Sequence, residues 1–274
     1  MFLNLVKQIA YFLIYQFLFV LGGQYAGYIL YRTQVEPVPF ESFSSLAAPA
    51  MEPYFAGGMA AGMLLSSLAM IAHLLIFKYV RIGKGFFKEV KPVTLIYSTL
   101  FVGSMMVLFN ILAAWSGLEN NNEKEVEMML SCSAGVLSIA VFAPVLEELL
   151  FRGAIQGTLM RYFKNPWVAI IVSGLLFGVI HVNPIQVFYA ACLGVGFGWL
   201  YYRTGSLLPA VIGHIVNNSI AAYSNIVYGS DTADVVQGGA GYLYMAIAAA
   251  MFMILFAAVL NSSLPKLSVE RNEP

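Results

Sequence analysis

The chain has 274 residues, 60% of them hydrophobic and 10% charged, with 14 Lys plus Arg balancing 14 Asp plus Glu and a mean hydropathy of +0.78. A soluble domain carries about 25% charged residues, so this composition excludes a water-covered globule and points to an all-α, polytopic membrane bundle. The zero net charge argues against nucleic acid, and none is expected as a partner.

A spanning helix needs about 20 mostly apolar residues. In chain order, eight stretches qualify: 9–31, 54–80, 92–116, 129–151 (or a later register), 166–182, 185–202, 207–228 and 240–260. The first follows Lys7 and resembles a signal sequence. Its apolar run continues through Gly22 and Gly23 to about Tyr31, too long for such a segment, and it reads as a retained span. The polar stretches are the 33–53 loop, the 117–128 loop and the 261–274 tail. If the N-terminus is cytoplasmic, every Lys and Arg except Arg32 and Lys124 falls on the cytoplasmic side. The positive-inside rule is then met through all eight spans, with both termini cytoplasmic. The basic 78–91 loop, KYVRIGKGFFKEVK, is mainly an orientation signal, with contact to anionic lipid as a second role. The whole of 1–274 reads as a single integral membrane domain whose chemistry is concentrated in about 129–228. No internal repeat supports an inverted-repeat transporter. GVGFG at 194–198 lies inside an apolar span and reads as close helix packing, not a nucleotide loop. Cys132 and Cys192 read as small buried hydrophobes.

Few ionisable side chains remain within the spans: Glu147, Glu148, in the later register Arg152, and the three histidines, His73, His181 and His214. A charge at the bilayer centre costs about 3 kcal/mol on insertion scales, so each calls for a partner or a function. Arg152 follows Glu148 by four residues and shares its helix face, which predicts an ion pair. Glu147 points about 100° away around the helix. It has no partner in its own segment and must find one on another helix or stay protonated. FGVIH places Phe177 and His181 at i, i+4. HIVNN places His214 and Asn218 at i, i+4, with Asn217 at i+3. Three helices can therefore converge a carboxylate, two imidazoles and an amide. Such a set can activate water, with His and Asn donors stabilising an oxyanion. It can equally hold one divalent metal such as zinc through Glu147, His181 and His214. His73 belongs to no such pattern and is expected to be a satisfied bundle residue. Phe177 is expected to pack, and Asn110 and Asn217 to hydrogen-bond between helices.

EE-x3-R, F-x3-H and H-x3-N, in this order on separate helices, resemble the three motifs of the CPBP family, which comprises type II CAAX prenyl endopeptidases and bacterial proteins linked to bacteriocin processing or self-immunity. The resemblance covers Glu147 to Asn218. It implies that Glu147 is the water-activating base, that Glu148 and Arg152 are its supporting ion pair, that His181 helps to activate or position the water, and that His214 and Asn218 stabilise the oxyanion. H-E-x2-H is absent. The cofactor expectation is therefore none, or one divalent metal, with the metal-independent route preferred. The function expected is an intramembrane endopeptidase of a prokaryotic plasma (inner) membrane, cutting a membrane protein or a lipidated or hydrophobic peptide. Its rivals are a proton-coupled carrier and a non-enzymatic peptide-binding or immunity protein.

Groups that meet must share a depth. If Arg152 marks the interface, Glu147 lies about 7 Å inside and His181, counted from Pro166, roughly 22 Å, so they do not meet. If the interface is at Arg161–Lys164, Glu147 lies about 25 Å from that end, level with His181, and His214 roughly 16 Å from Arg203. The second register is preferred, with Pro144 kinking one long helix.

Overall fold

The computed structural model describes residues 2–34, 51–80, 90–229 and 240–264. Much of the 33–53 loop, of the basic 78–91 connection and of the 261–274 tail lies outside them, as do Asp231 and Asp234. All regular structure among the described residues is helical. We number the helices α1 (Phe2–Gln34), α2 (Glu52–Ile76), α3 (Pro92–Trp115), α4 (Glu123–Leu130), α5 (Ser133–Tyr162), α6 (Pro166–Val179), α7 (Pro184–Thr204), α8 (Leu208–Tyr228) and α9 (Ala240–Ser263).

Seven of the eight expected spans overlie one helix each, while the 129–151 stretch covers the end of α4, a break at 131–132 and the first part of α5. Six helices, α1, α2, α3, α5, α7 and α9, are long and apolar enough to cross a membrane by length and composition. The other two are limited in different ways. α6 has 14 residues, about 21 Å of helix. α8 has 21 residues but carries His214, Asn217 and Asn218. Large apolar side chains such as Phe17, Leu18, Met251 and Ile254 are exposed, as lipid-facing residues of a membrane protein are. α4 is an element that the sequence reading left as loop. EKEVEMML buries Met129 and Leu130 while its acidic first turn suits a helix N-terminus.

α5 differs from the 129–151 stretch: it begins at Ser133 and runs on through Arg152 to Tyr162, in keeping with the later register. Its winding widens to π-type over Ser138–Phe142 and again over Leu149–Gln156. The first stretch lies just before Pro144, whose ring clashes with the carbonyl four residues back. The second follows the two glutamates. Such π insertions recur at functional sites.

The chain forms two compact units. The first draws its described residues from 1–73, 122–146 and 218–230. Here α1 and α2 touch backbone to backbone: a Cβ on Gly23 would overlap the Gly58 carbonyl, and one on Gly62 the Phe19 carbonyl. This is small-residue packing of the kind that joins membrane helices. Ser138 Oγ donates to Ala60 O at 3.3 Å. The second unit draws on 74–121, 147–217 and 231–274. Its core is Phe101, Val102, Met105, Leu193, Phe197 and Leu200. Arg203, expected as an orientation charge, is mostly buried and donates from Nη2 to Asn261 O at 3.0 Å and Leu264 O at 3.3 Å. It thereby caps the C-terminal end of α9.

Candidate active site

Four of the expected site residues meet in the second unit. α5 supplies Glu147, Glu148 and Arg152; α8 supplies His214. Glu148 and Arg152 are both 0% exposed, and Arg152 Nη1 donates to Glu148 Oε1 at 3.0 Å, the pair that the i, i+4 spacing predicts. The same oxygen accepts from His214 Nδ1 at 2.9 Å. An ionised carboxylate only accepts, so Nδ1 carries a hydrogen. The opposite ring nitrogen, Nε2, faces Glu147 Oε2 at 3.6 Å. That is an ion-pair separation, longer than a hydrogen bond. The partner that Glu147 lacks in its own segment is therefore His214, whose ring stands between two carboxylates. Glu147 is 14% exposed and His214 4%, so of the two adjacent glutamates Glu147 is the accessible one.

Aromatic rings enclose the charges. Phe197 stacks on His214 at 4.8 Å between centroids, and Phe177 meets the same imidazole edge-on at 5.6 Å. The Arg152 guanidinium lies 4.6 Å from the Phe177 centroid and 5.4 Å from that of Phe197. These faces keep water off the ion pair and add cation–π attraction. Phe177 is thus part of the site's electrostatics as well as its packing.

Arg152 Nη2 donates to Gly194 O at 2.8 Å, and one turn later Gln156 Nε2 donates to Gly198 O at 2.8 Å. Two fully buried α5 side chains therefore grip two α7 carbonyls with matching four-residue spacing. Glycine is required for this approach: a Cβ on Gly198 would lie 2.6 Å from Gln156 Oε1, and one on Gly194 2.9 Å from Phe177 Cδ1. The Gly tract is close packing, as expected. Gln156 was missed, although its i+4 spacing from Arg152 carried the signal.

His181 Nδ1 donates to the Phe177 carbonyl at 2.8 Å, because a carbonyl only accepts. In a neutral ring this leaves Nε2 as the acceptor nitrogen. Its ring meets Phe177 edge-on at 5.0 Å, so one phenyl ring contacts both imidazoles. Asn218 belongs to the first unit, where its Nδ2 donates to Ile139 O at 3.0 Å. Asn217 is buried in the second unit and accepts from Tyr189 Oη at 2.6 Å, while Tyr189 accepts from Asn110 Nδ2 at 3.2 Å. That chain ties α8, α7 and α3. His73, in the first unit, pairs through Nδ1 with Tyr15 Oη at 3.3 Å.

Among the described residues, no three His, Cys, Asp or Glu side chains are grouped to hold a metal ion. Glu147, His181 and His214, the three ligands that the sequence offers, are thus not gathered into such a group, and no step is derived through a metal.

Residues 130–220 match the family of type II CAAX prenyl endopeptidase Rce1-like proteins, a segment that contains all three motifs. Among curated proteins the chain resembles "Putative membrane peptidase YdiL" of Bacillus subtilis, 27% identical over 104 residues, 38% of this chain and 42% of that protein. It also resembles "Uncharacterized protein YyaK" of Bacillus subtilis, 30% identical over 145 residues, 48% of each chain. A third relative is "UPF0177 protein YaiH" of Lactococcus lactis, 34% identical over 86 residues, 31% of this chain and 34% of that protein. The chain spans less than half the length of the curated relatives it matches. No solved structure matches it.

Proposed function

We propose that this Rce1-like core is the catalytic centre of an intramembrane endopeptidase in which Glu147 is the base that activates water. One observation carries the proposal: two adjacent carboxylates have opposite surroundings. Glu148 is sealed from solvent and accepts from both Arg152 and His214. Glu147 is partly exposed and faces His214 Nε2 at 3.6 Å, a gap that can tighten when substrate binds.

Charge balance sets the resting state of the proposal. With both carboxylates ionised, Arg152 and a protonated His214 neutralise them. Glu147 takes a proton from a water molecule as the water oxygen bonds to the scissile carbonyl carbon. The carbonyl electrons move to its oxygen, giving a tetrahedral oxyanion. His181 Nε2, with Nδ1 committed to Phe177 O, orients that water. Glu147 returns the proton to the departing amine as the C–N bond breaks. Asn218 is the oxyanion donor that the motif resemblance implies, and this role requires its bond to Ile139 O to be exchanged. Donors aimed at developing charge in a dry site are worth several kcal/mol.

The substrate of this proposal is a membrane-associated protein or a lipidated or hydrophobic peptide. The chain would lie in a bacterial plasma membrane, as its bacterial relatives suggest, crossing eight times with both termini cytoplasmic and Arg161–Lys164 at the interface. Comparison of new protein termini, by mass spectrometry, in membranes of cells expressing wild type or Glu147→Gln at matched levels tests the reaction. Termini confined to wild type are expected. Identical termini in both would overturn the endopeptidase in favour of a carrier or a binding protein.

A further inference from the structure

His181 lies beyond the end of its helix. α6 closes at Val179 and α7 opens at Pro184, so the imidazole sits on a short connection, whose His181 and Val182 amides still donate back to Gly178 O at 3.1 Å and Val179 O at 3.2 Å. Val182 within this connection adopts φ +61°, a left-handed conformation that is costly for a β-branched residue. Its side chain is 83% exposed, so packing of that side chain does not explain the conformation. Strained backbone persists where its surroundings over-determine it.

Those surroundings come from the α3–α4 connection. Asn183 N donates to His181 O at 2.6 Å. The Asn183 side chain is buried, and its Nδ2 donates to Asn120 Oδ1 at 2.7 Å, 63 residues away in sequence. Ile185 N, in the first turn of α7 where backbone donors lack helical partners, donates to Glu119 O at 3.3 Å. Beyond the local backbone bonds to Gly178 and Val179, two long-range bonds to residues 119 and 120 therefore brace the turn that carries His181.

We propose that Asn120 and Asn183 are positioning residues for the hydrolytic reaction. Their side-chain pair clamps the strained His181–Asn183 turn and thereby aims His181 Nε2 at the water. This assignment rests on the endopeptidase reading. A displacement of about 1 Å in a catalytic group costs on the order of a hundredfold in rate, so a clamp of this kind registers in turnover before it registers in substrate binding.

The test uses the full chain in detergent or proteoliposomes and three variants: Asn120→Leu, which removes the acceptor, Asn120→Asp, which keeps it, and Asn183→Ala. One readout is ¹⁵N NMR of the imidazoles, tractable because the chain has three histidines. His181 in wild type and Asn120→Asp should show a single tautomer with hydrogen on Nδ1, and in Asn120→Leu and Asn183→Ala an averaged one. The other readout is kinetics on a peptide spanning a cleavage site found only with wild type. Here kcat should fall about tenfold or more for Asn120→Leu at unchanged KM, with Asn120→Asp close to wild type. An unchanged His181 signal and kcat in Asn120→Leu would overturn the clamp, as would equal losses in Asn120→Asp and Asn120→Leu. If wild type and Glu147→Gln release the same termini, the endopeptidase reading fails, and the NMR arm still decides whether the pair fixes His181.

Discussion

His73 and His214 occupy apolar helices in contrasting company. His73 pairs with Tyr15 and lies against the tilted ring of Tyr11, its centroid 4.7 Å away, on helices locked by glycine backbone contacts. Tyr15 and Tyr11 are neutral groups. His214 stands between Glu148 at 2.9 Å and Glu147 at 3.6 Å, with Arg152 behind the first carboxylate. That environment sets the ring between two carboxylates. The lesson is that an ionisable residue in an apolar helix marks a site through the charge of its partners, not through its presence.

The contrast can be broken at several points. The largest loss of stability is expected for Arg152→Ala, which leaves the Glu148 carboxylate buried without its cation. Breaking a buried pair on one side costs about 3–5 kcal/mol, read as a large fall in Tm or loss of folded protein in detergent. Next comes Gly58→Val at the α1–α2 contact. Its side chain has no space against the Gly23 carbonyl, and forced overpacking costs about 1–3 kcal/mol. Gln156→Leu removes the bond to Gly198 O and should cost about 1 kcal/mol, with Arg152 still anchored at Gly194. The smallest effect is expected for His73→Phe. It should stay within about 1 kcal/mol and leave turnover unchanged. A loss of turnover in His73→Phe as large as in His214→Phe would dissolve the distinction between the two histidines.

Much of this was legible in the residues. Apolar runs located the helices, and the i, i+4 rule located the Glu148–Arg152 pair, because both depend on local periodicity. Depth counting from Pro166 favoured the register in which Arg152 is buried. The partner of Glu147 was not legible, since it depends on how α8 packs against α5, and sequence spacing says nothing about rotation between helices. The π-type winding of α5 was equally hidden. Pro144 announced a disturbance but not its form. Gln156 carried a readable spacing that was passed over because an amide is less conspicuous than a charge. The Asn120–Asn183 pair joins residues 63 apart, beyond any local rule.

The most direct measurement is turnover and Tm, side by side, for wild type, Glu147→Gln and Glu148→Gln in proteoliposomes. The accessible carboxylate should separate the two quantities: Glu147→Gln should lose about a thousandfold in kcat while its Tm stays near that of wild type. Glu148→Gln, whose carboxylate holds Arg152 and His214, should lose Tm and turnover together. Turnover retained in Glu147→Gln, or a fall in its Tm equal to that of Glu148→Gln, would contradict the assignment of Glu147 as the base.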